Sequence, residues 1–246
     1  MVKKRCEIRV GASGWYYSHW AGRFYPDGLA KDKWLAHYAQ HFDTVEINNT
    51  FYHLPKAKTF ENWHDKAPQG FVFTLKANRY ITHIRRLAAA EDAVERFFAG
   101  AALLQEKLGP VLYQLPPNFQ KDLELLADFM KLTRKRAQAF FEFRHKSWYS
   151  QDTYDLLDKY GFGFCVHDLG GVAAPRVITA EKIYVRLHGP GSACSGNYPQ
   201  SALADWAAWI ESHAKKVTHV YAYFNNDINA YAVENAKTLR QLLGRE

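Results

Sequence analysis

Short apolar runs alternate with amphipathic stretches from one end of the chain to the other. The runs fall at 7–11, 43–48, 71–76, 110–114, 139–143, 162–167, 182–187 and 219–224. They are rich in Val, Ile, Phe and Tyr and too short for helices, so they predict strands buried on both faces. Between them, apolar residues recur at three- and four-residue steps, predicting helices over 33–42, 58–66, 91–107, 121–134, 151–160, 201–215 and 229–243. In 91–107 the stripe is Ala93, Val94, Phe97, Phe98, Ala101 and Leu104, continued by Leu108. In 201–215 it is Leu203, Trp206, Ala207 and Ile210, with Ser201 as the expected N-cap. Pro68-Gln69-Gly70, Gly109-Pro110 and Gly161 punctuate the joins. Eight strands alternating with helices predict an α/β fold, a single (β/α)8 TIM-like barrel with a closed parallel sheet over residues 1–246. A chain of 246 residues matches the roughly 250 that such a barrel takes.

The polar residues that interrupt this pattern lie at the ends of the predicted strands. Thr44-Val45-Glu46-Ile47-Asn48-Asn49, Phe140-Phe141-Glu142-Phe143-Arg144-His145, Ile183-Tyr184-Val185-Arg186-Leu187-His188 and Val220-Tyr221-Ala222-Tyr223-Phe224-Asn225-Asn226-Asp227 all end this way. Buried parallel strands have little use for charge, whereas a barrel builds its catalytic mouth from strand ends. Alternation aims Glu46 with Asn48, Glu142 with Arg144, and Arg186 with His188. Glu46 and Glu142 are candidate acid/base groups, joined by His188, Lys76 and Asp168. Arg144, Arg186, Asn48, Gln114 and Asn225 are candidate substrate contacts, the arginines as forked clamps for a phosphate or carboxylate. Alternatively the arginines neutralise Glu46 and Glu142 in buried ion pairs. Lys76 is either a base or Schiff-base nucleophile, or an anion contact. Gln114 precedes Pro116-Pro117, so loop stiffening accounts for it equally. Asp227 reads as a cap for the last helix. After the first strand, Trp15 and Tyr16, with Tyr17 and Trp20, either stack on a sugar or base or plug the barrel mouth.

Composition narrows the classes. The apolar fraction of 48% is that of a cored globular protein, and no apolar run approaches the roughly 18 residues of a membrane helix. The start, Met1 to Ile8, is basic without a signal-peptide core, which sets the expectation of a cytoplasmic protein. The three cysteines, Cys6, Cys165 and Cys194, form no Cys-x-x-Cys pair and support neither a zinc ribbon nor a disulfide framework. Cys165 reads as a buried apolar residue. Cys194, in the glycine-rich 189–196, is either a reactive thiol or an ordinary loop residue. A net charge of +7 favours phosphate-bearing partners, nucleic acid included, although Lys131, Arg134, Lys135 and Arg136 read as a solvated helix face. His167-Asp168 with Glu46, Glu142 and His188 supplies donor types for a divalent metal, without a compact ligand motif. No phosphate loop, dinucleotide fingerprint or Gly-x-Ser-x-Gly elbow occurs, so no nucleotide cofactor or serine nucleophile is expected.

In order along the chain, the motifs are Gly11-Ala12-Ser13-Gly14-Trp15-Tyr16 with Trp20 and Phe24-Tyr25-Pro26; Glu46-Ile47-Asn48-Asn49-Thr50-Phe51-Tyr52; and Ile81-Thr82-His83. There follow Gln114-Leu115-Pro116-Pro117; Glu142-Phe143-Arg144-His145 with Ser147-Trp148; Val185-Arg186-Leu187-His188-Gly189; and Tyr223-Phe224-Asn225-Asn226-Asp227 with Ala232-Val233 and Asn235-Ala236. This series resembles the DUF72, or YecE-like, family over nearly the whole chain. Asn49 stands where the family usually has Ser, and Ala230 where Gly is common. The resemblance implies a TIM-like barrel and no established activity; its links to sugar isomerases and metal-dependent endonucleases are fold-level analogies. The first expectation is therefore an isomerase-like enzyme on a sugar or sugar phosphate, a small anionic partner. The others are a metal-assisted phosphodiester hydrolase acting on nucleic acid and a non-catalytic module for a phosphorylated ligand.

Overall fold

The computed structural model describes residues 6–170, 172–191 and 194–245. The basic start at Met1–Arg5 and Ser192-Ala193 of the glycine-rich segment lie outside the described residues. The strands are β1 (Glu7–Ala12), β2 (Thr44–Ile47), β3 (Val72–Lys76), β4 (Leu108–Gln114), β5 (Ala139–Glu142), β6 (Gly163–Leu169), the two-residue β7 (Val172–Ala173), β8 (Lys182–Leu187) and β9 (His219–Phe224). The helices are α1 (Trp34–Tyr38), α2 (Asn49–Tyr52), α3 (Ala57–Lys66), α4 (Glu91–Ala101), α5 (Leu123–Thr133), α6 (Gln151–Tyr160), α7 (Gln200–His213) and α8 (Tyr231–Leu242). Eight parallel strands alternate with helices, the (β/α)8 TIM-like barrel class.

By contact the chain groups into two compact units, and the division falls inside β2, after Glu46, and inside β6, after Cys165. In the first unit β1 pairs with β9 and β9 with β8, all parallel, with Val10 opposite Ala222 and Arg186 opposite Tyr223. The antiparallel β7 closes back on β6. Val10, Val185, Val220 and Ala222 are buried in its core, and α7 and α8 lay Leu203, Trp206, Ile210, Val233 and Leu239 inward. Gly11 is needed where β1 passes β2: a Cβ there would stand 2.4 Å from the carbonyl oxygen of Thr44.

In the second unit β3, β4, β5 and the start of β6 run parallel. An aromatic core fills it: Phe141 stacks on Phe143 at 5.7 Å, and Phe143 on Trp148 at 4.6 Å. Trp148 Nε1 donates to the carbonyl of Phe119 at 2.7 Å, satisfying the one polar atom of a wholly buried ring. Gly163 is packed so closely that an added Cβ would meet the Phe140 ring at 2.0 Å.

The predicted elements differ from the observed ones mainly at their ends. The 33–42 helix is a 3-10 turn, Lys31–Lys33, followed by the short α1. The 91–107 helix is α4 plus a 3-10 stretch broken at Gln105, whose φ of 50° leaves the helical region. Ser201 does not cap α7: Pro199, with φ fixed near −65°, starts the helix earlier and leaves Ser201 in its first turn. Several elements are too short to show a periodic signal, among them α2, the two-residue β7 and a π-helical turn at Tyr80–Ile84. No helix among the described residues is long and apolar enough to cross a membrane.

Candidate functional site

Charged side chains gather in each unit at the carboxyl ends of the strands. In the first unit Glu46, on β2, is fully buried and Arg186, on β8, is 1% exposed. Arg186 Nε donates to both carboxylate oxygens at 3.1 Å and Nη2 to Oε1 at 2.8 Å. Ser13 Oγ donates to Oε1 at 2.7 Å and the Tyr184 hydroxyl to Oε2. Four donor groups thus surround one carboxylate, which is how a buried ion pair offsets its desolvation. Inward-facing Glu46, Tyr184 and Arg186 follow from strand alternation, and Ser13 from the turn that leaves β1.

Beyond Arg186 the chain of contacts continues outward. Arg186 Nη1 lies 3.4 Å from His188 Nε2. His188 Nδ1 lies 3.1 Å from Asn225 Nδ2 and 3.5 Å from Cys194 Sγ. Both neighbours, the guanidinium at Nε2 and the Asn225 amide nitrogen at Nδ1, are donors that face this ring. Asp168 stands beside this group: its carbonyl accepts from the His188 backbone N–H, and its Oδ2 accepts from the Tyr198 hydroxyl at 3.1 Å. Its Oδ1 is buried without a partner. Burial, and next to it the charge of Asp168, raises Tyr198 well above the ordinary phenol range.

In the second unit Glu142, at the end of β5, is fully buried and forms an ion pair with Arg144 through Nε and Nη2. Lys76 ends β3, 8% exposed, with Nζ 4.1 Å from the centre of the Phe51 ring. That contact gives a desolvated ammonium a π face as partial replacement for water. His83 is brought to the same neighbourhood by the π-helical turn. Burial, then the positive charges of Lys76, Arg79 and Arg86, lowers it to about 4 against a smaller opposing effect of Glu142. His83 is therefore a neutral imidazole at pH 7, with Nδ1 2.9 Å from the Thr82 hydroxyl. Burial pushes Tyr149 up to about 12.

The structure thus brings together Glu46, Arg186, His188 and Asn225 in one unit, and Glu142, Arg144 and Lys76 in the other. Gln114 and Asn48 are half-buried at the ends of β4 and β2. Trp15 is buried, whereas Tyr16 is exposed with its ring 5.1 Å from that of Trp34. Trp20 is wholly buried and donates to the carbonyl of Asp227, a structural role. Asp227 does not cap the last helix, because Ala230 occupies that position; its carboxylate pairs with His19 at 3.1 Å instead. Among the described residues no three His, Cys, Asp or Glu side chains are placed to hold one metal ion.

Ser13, Tyr184 and His83 were not among the expected site residues, and Cys194 was read as a reactive or ordinary loop thiol with no partner assigned. Ser13 and Tyr184 carry no charge to mark them. His83 sits on an element without a periodic signature, and Cys194 reaches His188 through a loop whose path the sequence pattern does not encode.

The family model described as "Protein of unknown function DUF72" matches residues 9–246. UPF0759 protein YunF of Bacillus subtilis is 28% identical over 272 residues, covering 97% of this chain and 95% of that protein. UPF0759 protein YecE of Escherichia coli is 28% identical over 145 residues, 58% of this chain and 51% of that one. Among solved structures, a DUF72 family protein from Thermotoga maritima aligns with a TM-score of 0.86 and 26% identity, covering 97% of this chain and all 100% of that one. Another from Enterococcus faecalis, 19% identical with a TM-score of 0.80, covers 99% of this chain and 100% of its own, and shares the fold.

Proposed function

The chain belongs to the DUF72 family of unknown function, and from that premise we propose that it is an enzyme that moves protons on a small sugar phosphate, in the manner of an isomerase. The observation that carries the reading is the second-unit cluster: a fully buried carboxylate, Glu142, with a guanidinium and an ammonium gathered at strand ends, beside an imidazole kept neutral. Buried charge of this density adds little stability over apolar packing, and perturbed groups concentrate where chemistry is done.

In this reading Glu142 takes a proton from the carbon next to a sugar carbonyl, and His83 exchanges the hydroxyl protons. Arg144 and Lys76 stabilise the enediolate and hold the phosphate. Glu46 has a different task. With both oxygens occupied by Arg186, Ser13 and Tyr184, it positions Arg186 and, through it, His188. The basic balance of the chain draws such substrates in.

The test is turnover of a panel of aldose and ketose phosphates by the wild type and Glu142→Gln. Turnover that is lost in the variant while binding survives supports the reading. Equal activity of the two proteins overturns it.

A further inference from the structure

A cavity of about 360 Å³ opens in the second unit, within the roughly 300–1,000 Å³ span of small-molecule sites. It is walled by α2 and the extended exit from it, by the turn after β3, and by one face of α4. Its walls include none of Glu142, Arg144, Lys76 and His83, so it is separate from the cluster to which chemistry is assigned above. Asn78 fixes the mouth. Its Nδ2 donates to the Thr50 carbonyl at 2.9 Å, and its Oδ1 accepts from the Tyr80 backbone N–H at 2.9 Å. One side chain thus ties α2 to the π-helical turn, and the Thr50 hydroxyl adds a bond to the Lys76 carbonyl at 2.7 Å. A mouth held in this way is set before any ligand arrives, which lowers the ordering cost of binding.

The side chains presented there are unlike those of an ordinary surface. Tyr52 is 59% exposed and Tyr80 43%, and with Leu54 they make three of the seven large hydrophobic side chains exposed among the described residues. Gathered on one concavity, they mark an interaction site rather than scattered surface. Phe97, wholly buried, adds an apolar wall, and Arg96 precedes it on α4. Among the described residues, neither the Arg96 guanidinium nor the His53 ring has a side-chain hydrogen bond or an ion pair. Charge around the mouth has one sign. Residues 52–59 and 77–90 carry Lys56, Lys58, Arg79, Arg85 and Arg86 and no Asp or Glu. The carboxylates of α4, Glu91, Asp92 and Glu95, are not part of the wall. Exposed phenol rings beside an unpaired guanidinium suit a ligand that joins a flat ring to an anion. The rings stack on a base, and the guanidinium fork takes phosphate oxygens. A sugar phosphate would leave the tyrosines unused, and an apolar ligand would leave the guanidinium unused.

We propose that this cavity binds a nucleoside monophosphate, its base stacked on Tyr52 and Tyr80 and its phosphate held by Arg96 with His53. Lys56 and Arg79 draw the anion to the mouth. The site does not depend on the isomerase reading, because its residues lie outside the Glu142 cluster and its readout is binding rather than turnover. It is nonetheless a neighbour of that cluster. Phe51, next to Tyr52, has its ring 4.1 Å from Lys76 Nζ and 4.9 Å from the His83 ring.

Isothermal titration calorimetry of the full chain against AMP, GMP, CMP and UMP tests the proposal, with adenosine, ribose 5-phosphate and inorganic phosphate as the separated parts. At least one monophosphate should bind, and the separated parts should bind at least about tenfold more weakly. Tyr52→Ala, Tyr80→Ala and Arg96→Gln, all at exposed positions, should each weaken binding about tenfold and leave the melting temperature nearly unchanged. Photolabelling with the azido analogue of the bound nucleotide, read by peptide mass mapping, should mark the peptides that carry Tyr52 or Tyr80. No monophosphate bound at millimolar concentration, affinity unchanged in these variants, or a label confined to other peptides would overturn the proposal. Binding of an acidic peptide in place of every nucleotide would overturn it too, by making the cavity a protein-docking groove.

Discussion

Removing both partners of the Glu46–Arg186 pair should cost clearly less than the sum of removing each alone. In Glu46→Gln the guanidinium, 1% exposed, keeps its charge but loses a partner that it contacts through Nε and Nη2. In Arg186→Met the carboxylate, with no exposure at all, retains only the neutral donors Ser13 and Tyr184. Breaking a buried pair this way typically costs about 3–5 kcal/mol, because an uncompensated charge stays inside. At this chain length each kcal/mol lowers the melting temperature by about 2–4 °C, so either single variant should melt roughly 6–20 °C lower. In Glu46→Gln/Arg186→Met no buried charge is left alone, and the combined loss should fall short of the sum by about 2 kcal/mol or more. Urea unfolding of the four proteins, read by circular dichroism with slopes compared to confirm a shared transition, measures the cycle. Strict additivity, or a cost below about 1 kcal/mol in both single variants, would refute the reasoning.

Other outcomes follow from the same geometry. His83 is held near 4, below its unfolded value, so it contributes stability above pH about 6.5 that is lost as pH falls towards 4. For a ring only partly shielded from solvent that loss should be on the order of 1 kcal/mol, and His83→Gln should flatten the melting temperature between those pH values relative to wild type. Gly163→Ala should destabilise by about 1–3 kcal/mol in urea, since its Cβ would enter the Phe140 ring. Trp148→Ala should lose about 3–5 kcal/mol, through the cavity under Phe143 and the orphaned Phe119 carbonyl; a change within error would contradict the packing described.

The barrel was legible because short, near-continuous apolar runs mark strands buried on both faces, and seven of the observed helices carry clear stripes or punctuation. The strand-end charges were legible for the converse reason: Glu46, Glu142, Arg144 and Arg186 interrupt runs that otherwise bury everything. Which arginine serves which carboxylate was not, since Arg144 pairs with its strand neighbour Glu142 whereas Arg186 reaches Glu46, 140 residues away in sequence. Nor was the part of Tyr184, an apolar strand residue by pattern whose hydroxyl completes a carboxylate shell. His83 and Cys194 depend on a π-helical turn and on a positive-φ loop. Both are local backbone choices without a periodic trace, so only their surroundings disclose them.

The central claim is that Glu142 exchanges a carbon-bound proton of a sugar phosphate. Proton NMR in deuterium oxide tests it most directly, because exchange at the carbon next to the carbonyl is visible even when net conversion is slow. The wild type should incorporate deuterium into at least one aldose or ketose phosphate of a panel. Glu142→Gln should bind that compound and leave its protons in place. A panel member that binds the wild type without exchange, or exchange undiminished in Glu142→Gln, would contradict the account.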